Sequence, residues 1–212
     1  MYRFHNRNEA GKHLAIQLRK FSGQSGVVLA VPRGGVPVAY EIARELQWPL
    51  DVLLVKKLGH PLNKEYAIGA VGITDIYLSS HEKIDDQYLK HQIKNVRRQL
   101  FEWQHLLKGD TVSIDRKGRT VILVDDGAAT GSTLLASVRI LKKEEPAKII
   151  LAVPVITVKA LQLLAPEVDE VIAILIPDFI PGIGSCYHDF SQVSVEEIQD
   201  FLEKYRSFKK AV

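Results

Sequence analysis

The sequence predicts an α/β fold: a mostly parallel sheet flanked by helices. Three observations lead to it. Short continuous apolar runs, such as Val27-Val28-Leu29-Ala30-Val31 and Val121-Ile122-Leu123-Val124, have strand length and no polar face, as strands buried on both sides do. Segments with helical spacing of apolar residues alternate with these runs. Polar loops follow them, at the edge where parallel sheets bind ligands.

Taken in order, Asn8 to Phe21 reads as an amphipathic helix, with Leu14, Ile16 and Leu18 among polar neighbours. A turn at Ser22 to Gly26 leads to the strand 27–31 and the loop Pro32-Arg33-Gly34-Gly35. Val36 to Leu46 is a helix with Val38, Ile42 and Leu46 on one face and Pro37 near its start, where proline is tolerated. Pro49 to Val55 is a second strand, Lys56 to Glu65 a polar loop, and Gly69–Ile73 and Ile76–Leu78 short strands around a turn. Asp85 to Lys108 is a long inserted helix capped by Gly109. Its residues Leu89, Ile93, Val96, Leu100, Trp103 and Leu107 form a narrow apolar seam, suited to packing on its own domain or to a subunit contact in a homodimer. The strand 120–124, the helix Thr133–Lys143, the strand 148–155, a short helix 159–164 and the strand 171–176 complete the core. Ser194-Val195-Glu196-Glu197 matches a capping box and starts a last helix.

With 46% hydrophobic residues the chain can bury a sizeable core. The net charge of +3 suits an anionic small molecule and does not indicate nucleic acid. One cysteine, Cys186, rules out an internal disulfide and agrees with a reducing, cytoplasmic setting. The first residues have no apolar leader-like run, and no apolar stretch reaches membrane-spanning length. The histidines lack metal-ligand spacing, and Gly182-Ile183-Gly184-Ser185-Cys186 lacks the spacing of a serine nucleophile elbow.

The chemistry concentrates in Asp125-Asp126-Gly127-Ala128-Ala129-Thr130-Gly131-Ser132-Thr133, directly after the strand 120–124. Two acids stand at the strand end, small residues let backbone amides approach a ligand, and three hydroxyls sit at a helix N-terminus, which favours phosphate. Acids beside an anion site make sense for a ligand with both hydroxyls and phosphate: the acids accept from ribose hydroxyls, and the loop holds a 5′-phosphate. A Walker A loop would need lysine where Ser132 stands, and a dinucleotide fingerprint needs more glycines than Gly127 and Gly131.

This stretch resembles the 5-phosphoribosyl-1-pyrophosphate (PRPP) motif of type I phosphoribosyltransferases: apolar run, two acids, small residues, Thr-Gly-x-Thr. Val31 to Pro37 and Lys57-Leu58-Gly59-His60-Pro61 are similar to further segments of predicted members of undefined acceptor. The resemblance covers most of the chain and implies one domain, 1–212, with a core of about 22–176 and a small hood from 1–21 and 177–212. It implies Mg2+-dependent transfer of phosphoribosyl from PRPP to a nitrogenous acceptor, with release of pyrophosphate. Asp125 and Asp126 would hold the ribose, and Mg2+ through water rather than directly; residues 127–133 would hold the 5′-phosphate. Arg33, Gly34 and Gly35, in a loop that often carries an unusual peptide bond, would meet pyrophosphate together with Lys56 and Lys57. A mobile loop holding His60 and Lys64 would close over the site. Phe179 or Tyr187, or else Phe190, would stack on a flat acceptor, unless these aromatics fill a satellite core. Ala129 stands where hypoxanthine-type enzymes carry an acid, which argues against a 6-oxopurine handled that way and leaves adenine-like acceptors open. The alternative is a non-enzymatic PRPP sensor that binds nucleic acid or a protein partner, supported by Lys90, Lys94, Arg97 and Arg98 on one side of the long helix.

Overall fold

The computed structural model describes residues 2–62, 67–78, 84–108 and 113–211. Strands β1 (Gly26–Ala30), β2 (Leu50–Val52), β6 (Thr120–Val124), β7 (Lys148–Val155) and β8 (Glu170–Leu175) form one sheet in the order β2-β1-β6-β7-β8, parallel throughout. Strands β3 (Val55–Gly59), β4 (Ala67–Gly72) and β5 (Ile76–Leu78) form a small antiparallel sheet. The helices are α1 (Arg7–Leu18), α2 (Gly35–Leu46), α3 (Asp86–Lys108), α4 (Ser132–Lys143), α5 (Val158–Leu164) and α6 (Val195–Ala211).

The central strands read as unbroken apolar runs because both faces are covered. Val28, Ala30, Ile122, Val124, Ile150 and Ala152 face one core with α1, α2 and α6. Val27, Leu29, Val121, Leu123, Leu151 and Val153 face the other, with α4 and α5. Strand β1 runs flush with β6, Gly26 beside Thr120 and Ala30 beside Val124. The loops after these two strands therefore leave the sheet side by side, and this register builds the candidate site.

Three expectations are corrected. The second strand stops at Val52, and the chain turns into β3, so Lys56 and Lys57 lie in a strand rather than a loop. The backbone of β3 pairs with β4 (Lys57 opposite Ala70), and burial deepens along the strand from exposed Lys56 to buried Leu58. Ile16 is 56% exposed; the buried stripe of α1 is Arg7, Ala10, Gly11, Leu14, Ala15 and Leu18. Gly11 is on that stripe because a Cβ there would stand 2.8 Å from the Val38 carbonyl of α2. The first helix ends at Leu18, and residues 19–21 form a 3-10 turn. Of the two uses open to the long-helix seam, the structure shows packing on its own domain: Val96, Leu100 and Leu107 are buried in the α2–α6 core, with Leu89, Ile93 and Trp103 packed against it. Gly109 and Lys64 lie outside the described residues.

The capping box forms as expected: the Ser194 N–H donates to Glu197 Oε2 (2.7 Å) and the Glu197 N–H to Ser194 Oγ (3.1 Å). The N-terminal segment meets the tail. The Phe4 N–H donates to Cys186 O (2.9 Å), and the His188 N–H donates to Phe4 O (2.8 Å). Among the described residues no helix is long and apolar enough to cross a membrane.

Candidate functional site

The loop after β6 is anchored from below. The Ala128 N–H donates to Val155 O (2.8 Å), and Thr157 Oγ1 donates to Ala129 O (2.7 Å). The amide of Ala128 is thus turned into the sheet rather than toward a ligand. Gly131, the N-cap of α4, has φ 74°, a left-handed conformation that favours glycine. No side chain caps α4. The Ser132 N–H reaches Thr130 Oγ1 only at 3.5 Å, which leaves the first turn suited to an anion. A cavity of about 180 Å³ opens here, lined by Val31, Pro32, Asp125 and residues 127–134.

The loop after β1 approaches from the next strand. Its Pro32–Arg33 peptide bond is cis. Gly34 has an ordinary helical conformation (φ −63°, ψ −28°), so its role is space, not freedom of the backbone. A Cβ on Gly34 would lie 1.8 Å from Asp126 Oδ2, and one on Gly35 would lie 2.6 Å from the Val124 carbonyl. The two glycines let one loop press against the strand end and acid of the other.

The lysines divide. Lys57 Nζ reaches Ser132 Oγ (3.4 Å) at the start of α4, so it meets the loop after β6. Lys56 Nζ donates instead to Gln99 Oε1 of α3 (2.6 Å). Arg33 lies over the Trp103 ring, 5.1 Å from its centroid. Lys56 and Trp103 line a second cavity of about 310 Å³, with Pro32, Leu54, Leu100 and Thr133, adjoining the first. His60 Nδ1 accepts from the Leu62 N–H (3.2 Å).

Sequence reasoning missed Arg7. Its Nε donates to Asp126 Oδ2 (2.8 Å) and its Nη1 to Ser191 O (2.8 Å), with its guanidinium 3.8 Å from the Phe190 ring centroid. The sequence reading starts this helix at Asn8, which hides that Arg7 is the first residue of α1, where the helix dipole disfavours a cation. Tyr187 OH donates to Asp126 O (2.7 Å). Its ring is 3% exposed, packed between Phe4 and Phe190 with centroids 5.5 and 4.9 Å away. Of the two acceptor-stacking candidates, Tyr187 therefore has no open face, whereas Phe179 is 77% exposed. Phe190 is covered by Arg7.

The acids stand in a demanding environment. Burial pushes the Asp125 carboxyl well above its ordinary range, and the adjacent Asp126 charge adds to this; the Asp126 N–H and Arg7 oppose it. Burial also raises Asp126, against the hydrogen bond and charge of Arg7. Among the described residues Arg7 is the cation that pairs with either acid. Burial raises Tyr187 as well, so it stays a neutral phenol and a donor. Among the described residues no cluster of three metal-ligating side chains occurs. A divalent ion at this pair of acids would take most of its oxygens from substrate and water.

The phosphoribosyl transferase domain family matches residues 2–190. Two Mycobacterium tuberculosis proteins, each described as a "putative phosphoribosyl transferase", are 37% identical over 98% of this chain. The chain spans about half the length of these curated relatives (48%). The crystal structure of TT1426 from Thermus thermophilus is similar, with TM-score 0.86 and 37% identity over 96% of this chain and 99% of that one. The AQ2163 protein from Aquifex aeolicus shares the fold at TM-score 0.51 and 14% identity, covering 92% of this chain and 84% of that one.

Proposed function

Because the chain belongs to the phosphoribosyl transferase domain family, we propose that it binds PRPP and transfers the 5-phosphoribosyl group to a nitrogenous acceptor. In this reaction the bond from C1 to the pyrophosphate oxygen breaks, its electron pair leaves with pyrophosphate, and the acceptor nitrogen bonds C1. The observation that carries this reading is the flush register of β1 and β6. It sets two acids and an uncapped helix N-terminus beside the Pro32–Gly35 loop, a layout fitted to a ribose between two phosphate groups.

Asp125 and Asp126 accept from the ribose hydroxyls. The first turn of α4, with Thr130, Ser132 and Thr133, holds the 5′-phosphate. The Gly34-Gly35 backbone, Arg33 and Lys57 face the pyrophosphate, and Lys56 joins them if it leaves Gln99. Mg2+ carried with PRPP would neutralise pyrophosphate charge; its fit to this site rests on the paired acids. The transition state resembles an oxocarbenium ion, so positioning and charge neutralisation supply most of the catalysis. The acceptor lies across C1 from the pyrophosphate, and of the candidate stacking rings Phe179 has an open face. Of the four basic residues of α3 on which a nucleic-acid reading would rest, Arg97 Nη2 donates to Thr74 O (2.8 Å) and Arg98 lies 4.0 Å from Glu102, while Lys90 and Lys94 are exposed.

The test is calorimetric titration with PRPP and Mg2+, with ribose 5-phosphate and with pyrophosphate, on wild type and Asp126→Asn. Wild type is expected to bind all three. The Asn variant is expected to lose about tenfold or more for the two ribose ligands, the value of a hydrogen bond to a charged group. Wild type that fails to bind PRPP would overturn the reading.

A further inference from the structure

Resting on the PRPP reading, we propose that Arg7 is a positioning residue for the phosphoribosyl site. It holds the ribose-facing acid Asp126 and ties it to the tail that borders the acceptor side. Three side chains from two segments close a ring with Asp126. Arg7 Nε donates to its carboxylate (2.8 Å), and the Arg7 guanidinium lies on Phe190 (3.8 Å). Phe190 packs on Tyr187 (4.9 Å between centroids), and Tyr187 OH donates to the Asp126 carbonyl (2.7 Å). Asp126 is thereby fixed at its side chain by the N-terminal helix and at its backbone by the tail.

Structure alone gives little reason for this arrangement. A buried ion pair adds little net stability over apolar packing. Arg7 also sits at the helix end where its charge is least favoured, and it is 9% exposed. Local rules broken at some cost mark functional positions. Two adjacent buried carboxylates repel each other, so an acid meant to accept ribose hydroxyls needs a cation to hold it ionised and in place. Arg7 contacts one carboxylate oxygen through one nitrogen, and a carboxylate has acceptor capacity left for a hydroxyl. Its planar fork also reaches Ser191 O (2.8 Å) while facing Phe190, which a lysine cannot reproduce.

The experiment compares Arg7→Gln, Arg7→Lys and Phe190→Leu with wild type in titrations of ribose 5-phosphate, PRPP with Mg2+, and pyrophosphate, with thermal melts alongside. Arg7→Gln should weaken ribose 5-phosphate and PRPP by the same factor, about tenfold or more, as for a hydrogen bond to a charged group. Pyrophosphate affinity should hold within about twofold, because that ligand does not meet Asp126. Arg7→Lys should recover part of the loss. Phe190→Leu, which keeps every charge, should show the same selectivity at a smaller size, and it stands in if Arg7→Gln does not fold. Equal losses for all three ligands would mean a merely structural arginine and overturn the proposal, as would unchanged or tighter ribose 5-phosphate binding. Wild type that binds no PRPP would instead overturn the PRPP reading, so the two failures are separate.

Discussion

Substituting Gly34 by alanine tests whether the two loops form one site. A Cβ there would stand 1.8 Å from Asp126 Oδ2, 2.5 Å from Asp126 Cγ and 3.2 Å from Arg7 Nε. To reach the 3.4 Å of ordinary contact, the carboxylate must withdraw by about 1.6 Å. That movement breaks its 2.8 Å bond to Arg7. The carboxylate has little freedom, because Tyr187 holds its own backbone carbonyl. Overpacking costs about 1–3 kcal/mol, and breaking a buried pair costs about 3–5 kcal/mol at its upper end. Partial relaxation brings the expected loss to about 2–4 kcal/mol. For a chain of this size each kcal/mol is about 2–4 °C, so Tm should fall by roughly 4–16 °C. PRPP affinity should fall at least tenfold, measured by calorimetry below the melting range. The control is Gly182→Ala, where a Cβ meets nothing within 4 Å and φ is 173°, an extended angle open to any residue. It should melt like wild type. A Gly34→Ala protein that melts within about 1 °C of wild type and binds PRPP equally would refute the reasoning.

Asp125→Asn should exchange function for stability. The Asp125 carboxyl is raised by burial and then by Asp126, so the folded state binds its proton more tightly than the unfolded state does. Wild-type stability therefore falls as pH rises from the ordinary aspartate range, about 4, through the raised folded value. The Asn variant keeps an acceptor for the Asp126 N–H (2.8 Å) and lacks this penalty. Its Tm should exceed that of wild type at pH 7, the gap closing toward pH 4, while PRPP binding weakens; a lower Tm at pH 7 would refute this. Away from the site, Arg116→Met should destabilise the fold, because Arg116 joins Asp51 (3.1 Å) to Glu144 (2.8 Å) and its side chain is 12% exposed. Removing the shared cation of this buried cluster costs about 3–5 kcal/mol, or roughly 6–20 °C in Tm. Glu144 is already raised by burial, and losing Arg116 raises it further. The deficit should therefore shrink as pH falls and Glu144 takes up its proton, which paired melts at pH 7 and pH 5 would show.

The parallel core was legible because β1, β6 and β7 are buried on both faces, and only apolar residues satisfy that condition. The loop after β6 stood out as a candidate site because its acids, glycines and hydroxyls are contiguous in the chain. Strand β3 was not, since its two lysines and glycine imitate a loop, and only pairing with β4 shows that its backbone is satisfied. The α3 seam fixed which face is buried but not against what; its partners are the small sheet just before it and α6, far away in sequence.

Gly34 was named for the pyrophosphate loop, but its contact with Asp126, like that of Arg7, could not be read from the sequence, for one common reason. Each derives its meaning from Asp126, at a separation of 119 residues for Arg7, and neither carries its role in its own neighbours. Gly34 is glycine because the acid stands where its side chain would be. Arg7 is charged and buried because that same acid needs a counterion. The acid pair was the visible part of a constraint that also sets the identities of residues on two other segments. The N-terminal helix thus belongs to the site as much as the loop does, and substitutions at Arg7, Gly34 and Asp126 should prove non-additive when combined.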